Sequence, residues 1–112
     1  MGEPQATVST SVDRLIHEPA RLAIMTNLFV VESANATYLL RQTDLTWGNL
    51  GSHLSKLEAA GYVAVIKGYN GRKPETTVRL TNNGRTALVE YRDALLTALA
   101  PVAEPDAGER TS

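Results

Sequence analysis

The side chains of this protein with chemistry to offer are short, polar and regularly spaced. Within "TWGNLGSHLSKLEAAGYV", residues 46 to 63, Thr46, Asn49, Ser52, His53 and Lys56 recur every three or four positions. At helical spacing they share a face, opposite Leu50, Leu54 and Leu57 at i, i+4 and i+7. Hydroxyl, amide and imidazole groups donate and accept hydrogen bonds, and Lys56 is the only cation among them. Such a face suits recognition of a polar surface. A second cluster follows: from Lys67 to Arg79 there are four cations (Lys67, Arg72, Lys73, Arg79) and one carboxylate (Glu75), a local +3. A patch of that kind can hold a polyanion even when the whole chain is near neutral.

Bond-making chemistry finds no support. His17-Glu18 opens like a zinc-protease helix, but the fifth residue of "HEPAR" is Arg21, where a second histidine is required. With no cysteine, and with His17 far from His53 in sequence, no metal site is expected. "GYNGRKPET" lacks both the spacer and the Lys-Ser/Thr ending of a phosphate loop. Serines and acids lie scattered without a base partner. The chain is expected to be no enzyme and to carry no cofactor.

The 112 residues suit one domain, and 43% hydrophobic with 21% charged residues is an ordinary globular composition. No signal-peptide pattern and no 18-residue apolar run is present, so a cytoplasmic protein is expected, and the sequon at Asn35 carries no meaning there. The net charge is −1, but four of the twelve acids (Glu3, Glu104, Asp106, Glu109) lie in the tails. Between residues 13 and 99 ten basic groups face eight acidic ones, a net +2. Small and polar residues predict disordered tails at 1–11 and 101–112, around a domain at 12–100.

Inside that domain Asp13 is a candidate N-cap and Pro19 either breaks the pattern or opens a new helical turn, with a helix from about Glu18 to Val31. A short helix is expected at 37–43, then a turn through Asp44 and Leu45, then Thr46 capping a helix that ends at Gly61. Strands near 62–67 and 76–80 flank an Asn70-Gly71 turn signal. Pro74 has no amide donor, so the ladder is expected to stop before it and leave Arg72 and Lys73 on a free tip. Thr81 caps a last helix with Leu88, Tyr91, Leu95, Leu96 and Leu99 in one stripe. The fold class is mainly α with a small β-hairpin wing, a winged helix-turn-helix.

Over roughly residues 15–95 the chain resembles the small winged helix-turn-helix transcriptional regulators related to the MarR and ArsR groups. The likeness rests on "HEPARLAIM", "TDLTWGNLGSHLSKLEAAGYV" and "KGYNGRKPETTVRLTNNGRTAL", in that order and spacing. It implies a homodimeric, double-stranded DNA-binding regulator, with helix 46–60 in the major groove and wing 67–75 on the backbone or minor groove. The candidate DNA-binding residues are Thr46, Trp47, Gly48, Asn49, Ser52, His53, Lys56, Lys67, Arg72 and Lys73. Two departures stand out: Trp47, where a polar or basic residue is usual, and Ala36, in place of the aromatic that usually opens the second helix.

On that reading Asn49 suits adenine, Ser52 and His53 suit several base edges, and the cations contact phosphates. Gly48 and Gly51 together cost a helix about 2 kcal/mol relative to alanine. Either they give a slim profile where backbone meets DNA, or Gly51 lets the preceding helix pack closely. Trp47 either completes the leucine stripe or faces the ligand. The basic wing is either a DNA contact or a solvated hairpin tip. Leu15, Ile16, Leu22, Tyr91, Leu95, Leu96 and Leu99 are the candidate dimer interface, or else plain core. A palindromic DNA site follows from the dimer, whereas a protein-interaction module without specific DNA binding is the alternative function. The small-molecule effector, if one exists, is not legible.

Overall fold

Each helix starts where a side chain takes up the amide three residues on. The carboxylate of Glu18 accepts from Arg21 N (2.8 Å), the amide oxygen of Asn35 from Tyr38 N (2.8 Å), and the hydroxyls of Thr46 and Thr81 from Asn49 N (3.1 Å) and Gly84 N (2.9 Å). The computed structural model describes residues 12–104. Its elements run α1 (Pro19–Val31), β1 (Ser33–Asn35), α2 (Ala36–Thr43), α3 (Trp47–Ala59), β2 (Val63–Asn70), β3 (Lys73–Leu80) and α4 (Asn82–Leu99). The expected tail at 1–11 and all but residues 101–104 of the expected tail at 101–112 lie outside the described residues.

Pro19 opens α1 at its first position, where the missing amide is no loss. Asp13 is not that helix's cap. Its carboxylate accepts from Leu15 N (2.9 Å) and Ile16 N (3.4 Å) in a separate turn, and Glu18 caps α1 instead. Asp44 ends α2 in the left-handed region (φ 58°), and Gly61, at φ 80°, turns the chain out of α3.

The sheet has the order β1-β3-β2, antiparallel throughout. Strand β1 was not expected, since "SAN" has no strand pattern, and it exists only through pairing with β3 at Ser33↔Arg79 to Asn35↔Thr77. The hairpin is longer than the sequence suggests. Its ladder continues through Tyr69↔Pro74 to Asn70↔Lys73, leaving Gly71 and Arg72 as a two-residue loop. Pro74 therefore does not stop the ladder, and Lys73 lies in the strand. In a two-residue hairpin the closing pair exchanges the hydrogen bonds and the next pair does not, so the imide nitrogen of Pro74 faces away from β2. Among the described residues no strand lies on that side, because β1 ends opposite Thr77.

The core gathers Ile16, Ile24, Met25, Leu28, Leu39, the α3 leucines, Val63, Val78, Leu80 and Tyr91. Ala36 is buried at the start of α2, so that part of the core is closed without an aromatic ring. The hairpin meets α4 at a tight junction. Tyr62 O accepts from Thr81 N (3.0 Å), and Thr81 Oγ1 lies 2.6 Å from Gly61 O. A β-carbon on Gly84 would stand 2.1 Å from that same Tyr62 oxygen. Backbone on both sides cannot yield.

Replacing Gly84 with alanine is therefore expected to destabilise the domain by about 1–3 kcal/mol or more, read as a lower urea midpoint. Tyr62 gives a second expectation. The hydrogen bond it donates to Asp13, then burial and the charges of Asp13 and Glu90, push its phenol up to about 12. Below the ordinary value near 10 both folded and unfolded chains keep the proton, so the stabilisation is complete. Between about pH 10 and 12 the unfolded chain loses its proton first and stability falls. Unfolding curves across pH 8–12 should show a shallower alkaline decline for Tyr62→Phe.

Candidate nucleic-acid interface

Leu50, Leu54 and Leu57 bury one stripe of α3 and leave the rest of the helix uncovered. Thr46, Trp47, Gly48, Asn49, Ser52 and Lys56 are all exposed, and so are Gly51 and Ser55. Ser55 lies outside the expected set, although its spacing from Gly51 and Ser52 places it on the same uncovered surface.

His53 does not face outward with the others. Its side chain is 17% exposed, and its Nδ1 lies 3.1 Å from an Arg21 guanidinium nitrogen and 4.0 Å from Glu18 Oε1. A guanidinium only donates, so in this contact Nδ1 is the acceptor and the neutral ring carries its proton on Nε2. Arg21 also donates through Nε to Leu15 O (2.6 Å), linking α3 to the segment before α1. The carboxyl of Glu18 is held below its ordinary value, first by the hydrogen bond from the Arg21 amide, against a smaller effect of burial. His53 thus braces α3 on α1, and its assignment as a groove contact is corrected. The physical reason is position: it lies three residues after Leu50 and four before Leu57, beside the buried stripe.

Trp47 is not core. It is 63% exposed and lines two clefts against the wing, one of about 380 Å³ shared with the start of α2 and one of about 230 Å³ along α3. The larger also takes Arg41 and Lys73 as walls, with Glu75, whose carboxylate accepts from the Asn35 amide at 3.3 Å. Lys67 and Gly51 line the smaller. Lys67, Arg72 and Lys73 are exposed, as expected, and Arg41 of α2 joins them unforeseen. No local pattern marked it, since its nearness to the wing exists only in the folded chain.

The glycine question is decided by space. A β-carbon at Gly48 or Gly51 would meet nothing within 4 Å. Close packing of a neighbouring helix on Gly51 is thereby ruled out.

A family model described as a winged helix DNA-binding domain matches residues 20–99. The chain belongs to that family. An uncharacterised protein of Methanocaldococcus jannaschii is 33% identical over 78 residues, 70% of this chain and 85% of its own length. Among solved structures, a transcriptional regulator homologue from Pyrococcus horikoshii superposes with a TM-score of 0.76 at 29% identity, covering 82% of this chain and 91% of that one. The transcriptional regulator BldR from Sulfolobus solfataricus shares the fold at 22% identity, with a TM-score of 0.62 over 89% of this chain and 68% of its own. This is a DNA-binding domain of regulator type, and the solved structures it superposes on are described as transcriptional regulators. Among the described residues no helix is long and apolar enough to cross a membrane.

In this winged-helix protein the candidate dimer residues divide. Ile16 and Tyr91 are buried in the protomer's own core, and the Tyr91 hydroxyl lies 2.8 Å from His17 Nδ1. Ile16, fully buried, is withdrawn from the set, while Tyr91 keeps only an edge, 5% exposed, on the groove between α1 and α4. Leu15, Leu22 and Leu95 are half-buried, and Leu96 and Leu99 are exposed. Leu22 and Leu95 line an apolar groove of about 320 Å³ between α1 and α4, together with Phe29 and Val30.

The open space at the two α3 glycines yields an expectation of unusual sign. Gly48→Ala and Gly51→Ala should each stabilise the free protein by about 0.5–1 kcal/mol, seen as a raised melting temperature.

Proposed function

We propose that the protein is a sequence-specific, double-stranded DNA-binding transcriptional regulator, a repressor by simple occlusion, acting as a homodimer. The observation that carries this reading is the surface of α3. Gly48 and Gly51 stand clear of every neighbour on an uncovered polar helix whose flank opens onto a basic wing. A helix laid in the major groove needs that clearance. Asn49 and Ser52 then offer amide and hydroxyl groups to base edges, while Lys56, Lys67, Arg72 and Lys73 take phosphates.

The dimer follows from energetics and from the apolar groove. One small module buries roughly 600–1,000 Å² on DNA, and nonspecific contacts alone give dissociation constants of about 10⁻⁴–10⁻⁶ M. Two protomers on a palindrome, with half-sites about 34–36 Å apart, make a usable regulator. Leu96 and Leu99 are 61% and 49% exposed beside the groove that Leu22 and Leu95 line, and Val30 is 77% exposed at its edge. A second copy of the same surface covers them.

Salt titration with selected and random duplexes tests the reading. With four cations per protomer, a dimer should show a slope of log K against log[salt] of about −4 to −7. Replacing Arg72 and Lys73 with alanine should bring it to about half that and weaken all sequences alike, whereas Asn49→Ala should relax base preference. Gly48→Ala and Gly51→Ala should weaken DNA binding despite their gain in stability. Binding without salt dependence, or none at all, would favour a protein-interaction module.

A further inference from the structure

We infer that the trough that α2 and α3 form against the wing holds one sugar-phosphate strand of duplex DNA, with the Trp47 ring against a deoxyribose and Arg41 and Lys73 on an adjoining phosphate. This rests on the DNA-binding reading above and adds to it a defined role for two residues, Trp47 and Arg41.

Trp47 is the chain's only tryptophan, and at 63% exposure its ring is left out of the protomer's own core. With Ala36 and Thr76 it lines both the cleft of about 380 Å³ beside α2 and the cleft of about 230 Å³ beside α3, so the two lie side by side along the wing. The walls have the chemistry of a backbone site. Arg41 and Lys73 make no hydrogen bond or ion pair with their side chains among the described residues. The one carboxylate beside them, Glu75, accepts from the Asn35 amide at 3.3 Å, and two cations against one carboxylate leave the larger cleft with a net positive charge. In the smaller cleft Lys67 supplies a further cation opposite Glu58, and Gly51 keeps the helix side free of a side chain.

Position separates this trough from base reading. By helical geometry Trp47, Gly51 and Glu58 lie on the wing flank of α3, whereas Asn49 and Lys56 lie on the opposite flank. A helix seated in a major groove has a bordering strand on each side, and the strand on the wing side must pass between the helix and the wing. An amphipathic indole fits that place, with an apolar face for the sugar and an N–H for a phosphate oxygen. Trp47 therefore positions the duplex and reads no base.

The lone tryptophan reports its own occupancy. Acrylamide quenching of the full-length protein is measured free, with saturating duplex, and with thymidine monophosphate or inorganic phosphate alone; labelled-duplex anisotropy follows binding independently. Duplex should shield Trp47 several-fold, and the small anions should not. Trp47→Ala should weaken every duplex about tenfold while Trp47→Phe keeps most of the affinity. Arg41→Gln should lower the salt slope of a dimer by about 1–2 and leave base preference unchanged. Because Trp47 and Arg41 are exposed, both variants should melt like the parent. Duplex bound by anisotropy with Trp47 still fully quenchable overturns this inference and leaves the DNA reading standing. Shielding by the small anions but not by duplex overturns it in favour of a free anionic ligand. Absence of duplex binding sinks the DNA reading, and this one with it.

Discussion

Three leucines decide what α3 can show to the outside. Leu50, Leu54 and Leu57 are buried to within a few per cent, and burying a leucine contributes about 1.5–3 kcal/mol. Together they outweigh the roughly 2 kcal/mol that two helical glycines cost. The helix therefore tolerates glycine on its exposed side without fraying, and the stripe leaves the polar residues no other direction to face. Rotation about the helix axis is held from the flank as well. His53 accepts from Arg21, which is anchored in turn to Leu15 O, so α3 is fixed to α1 by a directional contact beside a nondirectional one.

The wing follows from how far the sheet has three strands. Strand β3 is paired on both sides only at Thr77 to Arg79, and there Val78 is fully buried. Beyond Thr77 the hairpin has two strands and loses its buried face. An isolated two-stranded ribbon is only marginally stable, so its position depends on the base, where Val63, Val78 and Leu80 join the core. A firm base and an exposed tip suit a ribbon that carries Lys67, Arg72 and Lys73 out over a partner. The open side of β3 also explains how Pro74 sits inside a strand.

What the sequence disclosed was what local chemistry determines. Thr46 and Thr81 announce their helices because the cap lies three residues from the amide it serves, and Leu50, Leu54 and Leu57 announce a buried stripe by spacing alone. What stayed hidden depends on partners distant along the chain. His53 turns inward because of Arg21, 32 positions earlier. Gly84 must be glycine because Tyr62 O passes over it, and β1 is a strand because β3 lies beside it. Pro74 was misjudged because a rule about donors needs to know which side of the strand has a neighbour. Trp47 and Arg41 gain their shared setting only when α2, α3 and the wing meet.

Net charge is the wrong measure for a protein built this way. Electrostatic influence between exposed groups fades over about 8–10 Å in ordinary salt, so a duplex responds to the face it meets and little else. On the α3 and wing face stand Arg41, Lys56, Lys67, Arg72 and Lys73, against Glu58 and Glu75, an excess of three positive charges. Several acids elsewhere are already occupied within the fold: Asp13 with Tyr62, Glu18 with the Arg21 amide, Asp93 with Arg92. The five cations have no such partners among the described residues. A chain of overall charge −1 can then attract a polyanion at one surface, because on that surface the cations outnumber the carboxylates and are left unmatched.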